Sequence, residues 1–131
     1  MAKAINWPLQ FRNEVIEEPT DKVFAAFRLG RLYFDNHYWV DGEVIDLRVN
    51  HKIIRKGVVV GEMKCCAIQD LSVEDFAAQK EGIKTPEAAA QFLAKTYEKE
   101  VTPTSEITVV YYKNLPIDPE ILEVEDDPHM G

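Results

Sequence analysis

The chain has 131 residues, of which 46% are hydrophobic, and a formal net charge of −8. This length can bury one core without disulfides or a structural metal, and the composition is that of a globular protein rather than a disordered or fibrous one. No apolar run approaches the roughly 20 residues that span a bilayer, and the first ten residues lack the pattern of a signal peptide. We therefore expect a cytoplasmic protein with no membrane partner.

Short strands are predicted along most of the chain. Residues 22–29 alternate cleanly, with Val23, Ala25, Phe27 and Leu29 on one face. Residues 11–18 indicate no more than a weak helical turn, and Lys56-Gly57 indicates a turn before the longest strand. The predicted strands cover residues 4–10, 22–29, 31–34, 38–40, 43–50, 58–68 and 106–113.

Two helices are predicted in the second half of the chain. Ser72 followed by Asp75 is the pattern of a capping box, which predicts a short helix from there to about residue 79. Thr85 followed by Pro86 predicts the start of a second helix, over residues 88–98. Many short strands and two or three short helices indicate an α+β fold, mainly β, built as a small barrel.

The negative charge is concentrated at the end of the chain. Residues 117–131 contain six Asp and Glu and no Lys or Arg, so they supply −6 of the net −8. Dense acid and proline predict a flexible acidic tail behind a single folded domain over residues 1–116. Such a tail can mask a basic groove or bind a protein partner.

A modest basic patch is compatible with the rest of the sequence. Residues 21–64 contain eight Lys and Arg against six Asp and Glu, a net charge of +2. Cations of this region can contact phosphates, and Tyr38 and Trp39 can stack on unpaired bases or belong to the core. The candidate cations are Arg28 and Arg48, together with Lys52, Arg55 and Lys56, which we expect in a solvated basic loop that can also contact phosphate.

No metal or cofactor is predicted. His37, His51 and His129 lie far apart in the sequence and share no ligand spacing with the adjacent Cys65 and Cys66.

Two segments carry a family resemblance. VDGEVIDLR at residues 40–48 and TPTSEITVVYYKNL at residues 102–115, with the order of elements between them, resemble the ASCH domain of the PUA-like superfamily. The resemblance covers roughly residues 5–115. It implies a small β-barrel associated with the recognition of RNA and nucleosides.

The family's signature, G-x-K-x-x-T-x-R, is poorly kept. With Arg28 as its arginine, the threonine, lysine and glycine positions are Ala26, Val23 and Asp21. Some ASCH proteins resemble amidohydrolases that remove an acyl group from acetylated cytidine, using a Thr nucleophile, a Lys and a Glu. Alanine has no oxygen with which to attack a carbonyl, so the resemblance does not extend to covalent catalysis.

Three functions remain from the sequence. The first is binding of RNA or a modified nucleotide by Arg28, with Lys22 or Arg48 beside it and Glu81 accepting from a base edge. The second is an amidohydrolase acting on an acylated nucleoside, in which Lys22 and Glu81 polarise a water molecule. The third is a protein-interaction domain that uses the acidic tail. We take the first as the prediction.

Overall fold

A computed structural model describes residues 3–121. The predicted tail therefore lies outside the described residues from position 122 onward. The strands are β1 (Ala4–Trp7), β2 (Val23–Leu29), β3 (Val44–Val49), β4 (Lys52–Val59), β5 (Lys64–Ala67) and β6 (Glu106–Asn114). The helices are α1 (Arg12–Glu17), α2 (Leu32–Asp35), α3 (Val73–Ala77) and α4 (Pro86–Tyr97), with 3-10 turns at Leu9–Phe11 and Ile68–Asp70.

The six strands form one mixed sheet in the order β1-β3-β4-β6-β2. β1 pairs with β3 in parallel, and the remaining pairs are antiparallel. β6 has nine residues, so one of its edges holds both β4, at residues 112–114, and β5, at residues 106–109. Its other edge pairs with β2 along the whole of that strand.

The α+β class is confirmed, but the predicted barrel is not. Within residues 3–121 the two end strands, β1 and β2, do not pair with each other, so the sheet stays open. The segment between β2 and β3 contributes no strand to the sheet: residues 32–35 form α2, and residues 38–40 have no regular structure. The predicted strands at 31–34 and 38–40 are therefore wrong, since an apolar run this short does not separate helix from strand.

The hairpin between β3 and β4 turns earlier than predicted. Its turn lies at Asn50 and His51, whose φ angles are 52° and 68°. Two positive φ angles are what a two-residue hairpin turn requires, and Asn adopts them more readily than most residues. The predicted turn at Lys56-Gly57 is wrong, because both residues lie within β4. The single long strand predicted over residues 58–68 is also wrong, because β4 ends at Val59 and β5 begins at Lys64. As a result, Lys52, Arg55 and Lys56 lie on a strand.

The core consists of two apolar clusters on the two sides of β2. Ala26 packs with Trp7, Leu47 and Tyr112 in the first cluster. Ala25 and Phe27 pack with residues of α4 and β6 in the second. Because side chains alternate along a strand, the next residue, Arg28, points to the side of the first cluster at the end of β2.

Both predicted helix starts are confirmed. The Ser72 hydroxyl accepts from the Asp75 N–H at 3.1 Å, and the Asp75 carboxylate accepts from the Ser72 N–H at 3.1 Å, completing the capping box. At α4 the Thr85 hydroxyl accepts from the Ala88 N–H at 3.1 Å.

We expect Asp75→Asn to lower the free energy of unfolding by about 2 kcal/mol at pH 7, because this buried carboxylate also accepts from Lys64 and from the Tyr111 hydroxyl, each at 2.7 Å. Burial raises the pKa of Asp75, but these hydrogen bonds and those at Ser72 outweigh it and hold the pKa below the ordinary 3.8. The contribution is thus present above pH 3.8 and is lost as the pH falls through the folded-state pKa. Urea titrations at pH 7 and pH 3 should show a smaller difference at pH 3. Glu74→Gln, at an exposed position, is the control. If Asp75→Asn lowers the free energy of unfolding as much at pH 3 as at pH 7, this account is wrong.

Candidate functional site

A cavity of about 380 Å³ lies where the ends of β1 and β2 meet the β3–β4 turn and the second half of α4. This volume lies within the range of small-molecule sites. Aromatic side chains form much of its wall, namely Trp7, Phe27, Phe92 and Tyr97. Asn6, Asn50, His51, Gln79 and Thr96 supply polar groups. The lining therefore combines aromatic residues with residues that carry hydrogen-bonding groups.

Among residues 3–121, Arg28 is the only Lys, Arg, Asp or Glu that lines this cavity. One of its Nη1–H groups donates to the Phe27 carbonyl oxygen at 2.9 Å, and its Cζ lies 5.8 Å from the centre of the Trp39 ring. Within residues 3–121 no carboxylate forms an ion pair with it. Burial lowers the pKa of Arg28, and Tyr97, Tyr33 and Tyr112 partly offset this effect. The site therefore holds a cation whose charge the surrounding protein does not neutralise.

Hydrogen bonds fix the polar wall. The Asn6 Oδ1 accepts from the His51 N–H at 2.7 Å, and the Gln79 Nε2 donates to the Ala25 carbonyl oxygen at 2.7 Å. The Asn50 N–H donates to the Trp7 carbonyl oxygen at 2.9 Å and ties the turn to β1. In each amide the other polar atom remains available. The Asn6 Nδ2 donor and the Gln79 Oε1 acceptor have no partner in the described part of the chain.

The other candidate cations lie on β3 and β4 and do not line the cavity. Lys56 pairs with Asp46 at 2.7 Å, and Arg48 lies 3.6 Å from the same carboxylate. Lys52 is exposed at the start of β4.

Arg55 has a different position from that expected of a phosphate contact. It is buried, and its Nη1 lies 3.0 to 3.2 Å from the carbonyl oxygens of Val15, Ile16 and Glu18 at the end of α1. A cation at this end of a helix satisfies carbonyl groups that have no partner within the helix. Burial lowers the pKa of Arg55. Its guanidinium binds this backbone and does not reach the cavity.

Tyr38 and Trp39 form a compact cluster with Tyr33. The ring centres are 4.8 to 4.9 Å apart, and Trp39 is buried. Lys3 lies over the Tyr38 ring, with its Nζ 4.7 Å from the ring centre. The cluster contacts Arg28 from outside the cavity, and neither Tyr38 nor Trp39 lines it.

Lys22 and Glu81 do not meet Arg28 either. The Glu81 side chain is 81% exposed and pairs with Lys84 at 3.3 Å. Lys22 is exposed and lines a separate groove beside Glu14 and Glu17. Ala26, at the position that the resemblance gives to the nucleophile, is buried.

Sequence reasoning missed most of the cavity wall. The alternating pattern predicts a strand at Asn6 and Trp7 without a binding role, and it predicts no turn at Asn50 and His51. Asn50 follows an alternating strand directly, and this is the signal that could have located the turn. The α4 residues Thr96 and Tyr97 carry no such signal.

Comparison with known proteins rests on the fold. No family model matches the sequence, and no curated protein sequence matches it. The structure is similar to an ASCH domain from Lactobacillus crispatus JV V101, with a TM-score of 0.54 and 19% identity over 80% of this chain and 70% of the other. The chain has the fold of an ASCH domain.

A second solved structure is similar to this ASCH-like fold over a longer part of the chain. It is a protein from Enterococcus faecalis V583 described by the family model DUF984, with a TM-score of 0.59 and 12% identity over 90% of this chain and 82% of the other. The resemblance stated from the sequence is thereby confirmed for the fold.

No helix within residues 3–121 is long and apolar enough to cross a membrane.

Proposed function

We propose that this ASCH-like protein binds RNA or a modified nucleotide in the Arg28 cavity and carries out no covalent chemistry there. The observation behind the proposal is the Arg28 guanidinium, which lines the cavity without a carboxylate partner in the described residues. A guanidinium holds a phosphate through two parallel N–H···O bonds, which makes an anionic group the natural partner.

The rest of the cavity suits a base. Trp7, Phe92 and Tyr97 line the cavity, and stacking of a base on an aromatic side chain contributes about 1–3 kcal/mol. The Asn6 donor and the Gln79 acceptor can bond the edge of a base, which carries both kinds of group. A nucleotide with its phosphate at Arg28 and its base against the aromatic residues would use the cationic, aromatic and polar residues of the wall.

The hydrolase alternative receives no support from the geometry. It needs Lys22 and Glu81 at one point beside the ligand, whereas neither lines the Arg28 cavity. Ala26 supplies no nucleophile. The protein-interaction alternative rests on a tail that lies largely outside the described residues, and no contact of residues 3–121 favours it.

An amide-resolved NMR titration tests the proposal. We expect uridine 5′-monophosphate to shift the signals of Asn6, Arg28, Asn50 and His51, and to bind at least tenfold more tightly than uridine, because only the nucleotide carries a phosphate for Arg28. Equal affinity for the two probes would remove the role of Arg28. Shifts that avoid the cavity would overturn the proposal itself.

A further inference from the structure

A strip of cations lies on strands β3, β4 and β6, on the side of the sheet that also carries the second core cluster. The strand register places Lys56 opposite Asp46 and Lys113 opposite Val58, and residues that face each other across strands share one face of the sheet. Arg48 lies two residues beyond Asp46 on β3 and therefore points to the same face. We call Arg48, Lys56 and Lys113 the basic strip. It crosses three neighbouring strands, a distance of about 10 Å across the sheet.

The basic strip carries more positive charge than its surroundings neutralise. Asp46 is the only acidic residue that the register of β1, β3, β4 and β6 places on this face, and both Lys56 and Arg48 share it, at 2.7 and 3.6 Å. Lys113 has no ion pair within residues 3–121. The Arg48 Nε–H, which is buried, has no hydrogen-bond partner there either. The face thus has a net charge of +2, on a chain whose formal charge is −8.

The basic strip begins at the cavity wall. Asn6 lies opposite Arg48 in the pairing of β1 with β3, and Asn6 also lines the Arg28 cavity. Arg48 is thus the strip residue paired with the cavity wall, and Lys56 and Lys113 follow it on the next two strands. Arg28 points to the other side of the sheet, so a ligand that contacts both Arg28 and the basic strip must extend past Asn6.

We propose that the ligand is a segment of single-stranded RNA, with one nucleotide in the Arg28 cavity and the neighbouring phosphates on the basic strip. This inference rests on the function proposed above. The strand is single because a base enters a cavity only when it is unpaired and unstacked. An acidic protein segment would match the charges of the strip, but the adjoining aromatic cavity favours a chain that carries bases.

The test compares an eight-nucleotide uridine RNA with uridine 5′-monophosphate, using the whole protein. We expect the RNA to bind at least tenfold more tightly, with an affinity that falls as potassium chloride rises from 50 to 200 mM. Each phosphate contact contributes a slope of about 0.7 in the logarithmic salt plot of a single strand. Lys56→Gln and Lys113→Gln should therefore each remove about 0.7 of the slope, or about 2.5-fold of the affinity change over this salt range. The matched control is Lys99→Gln, an exposed lysine beyond the end of α4.

The failures of the two proposals are distinguishable. If the nucleotide binds the cavity but the RNA binds no more tightly, or if the double variant K56Q/K113Q keeps the wild-type salt slope, the basic strip is not a phosphate path. An octaglutamate peptide that binds with a slope sensitive to K56Q/K113Q, when the RNA does not, assigns the strip to an acidic protein instead. If neither the nucleotide nor the RNA binds, the proposed function itself fails.

Discussion

Replacing Arg28 with methionine should weaken the binding of uridine 5′-monophosphate ten- to a hundredfold. A hydrogen-bonded charge contributes about 1.5–3 kcal/mol, and Arg28 is the only Lys or Arg of the described residues that lines the cavity. Lysine at this position keeps the charge but loses the planar fork, so Arg28→Lys should recover only part of the affinity. Isothermal titration calorimetry of the three proteins at one salt concentration measures these differences.

The same substitution should not destabilise the fold. Arg28 has no carboxylate partner within residues 3–121, and burial lowers its pKa, so its charge costs the folded state free energy rather than stabilising it. We expect the free energy of unfolding of Arg28→Met, measured by urea titration, to equal or exceed that of the wild type. Arg31→Gln is the matched control: Arg31 is exposed and pairs with Asp35 and Glu106 at the surface. It should leave both affinity and stability nearly unchanged.

Two results would contradict this prediction. Retention of wild-type affinity by Arg28→Met would mean that the phosphate is held elsewhere. A large loss of stability would mean that the Arg28 guanidinium holds the first core cluster together through its contacts with Phe27 and Trp39.

Sequence reasoning was most successful where local chemistry decides the structure. The capping box at Ser72 and Asp75 and the proline start of α4 depend only on residues within one helical turn, and both were predicted correctly. The alternation of β2 likewise predicted which of its residues share a face: Ala25, Phe27 and Leu29 belong to one cluster and Ala26 to the other. The placement of Arg28 on the opposite face follows from the same alternation.

It failed where distant parts of the chain decide. Residues 32–35 form a helix whose Tyr33 packs against Tyr38 and Trp39, contacts that the alternation of a four-residue run does not show. Arg55 looked like one of three cations in a loop, but it lies in a strand and binds backbone carbonyls of α1, about 40 residues away in the sequence. Charge alone does not distinguish a cation that binds a helix end from one that binds a phosphate.

The cavity wall is non-local for the same reason. Its polar groups come from four places: β1, the β3–β4 turn, α4, and the segment that follows α3. Only the folded sheet brings them to Arg28. Of the residues predicted to bind the ligand, Arg28 is the one that the structure places in the cavity. Arg48 and Lys56 point to the other side of the sheet, away from the first core cluster.

The largest loss of stability is expected from the buried pair of Lys80 and Glu18. The Lys80 Nζ lies 2.6 Å from the Glu18 carboxylate and donates to the Tyr112 hydroxyl at 2.9 Å, and only 1% of the lysine side chain is exposed. Its ammonium also lies 4.2 Å from the centre of the Trp7 ring. Burial lowers the pKa of Lys80, and the negative charge of Glu18 opposes this effect. Each charge therefore depends on the other to remain in the interior.

Lys80→Met should lower the free energy of unfolding by about 3–5 kcal/mol, since it leaves the Glu18 carboxylate buried without its cation. The double variant Glu18→Gln/Lys80→Met removes both charges, so we expect it to recover most of that loss. The control is Lys84→Met, which breaks the exposed pair with Glu81 and should lower the free energy of unfolding by less than about 1 kcal/mol. Urea titrations at pH 7 measure all three. A double variant no more stable than Lys80→Met would show that the ammonium contributes chiefly through Trp7 and Tyr112 rather than through Glu18. Because Trp7 lines the Arg28 cavity, that result would also predict weaker binding of uridine 5′-monophosphate by the double variant.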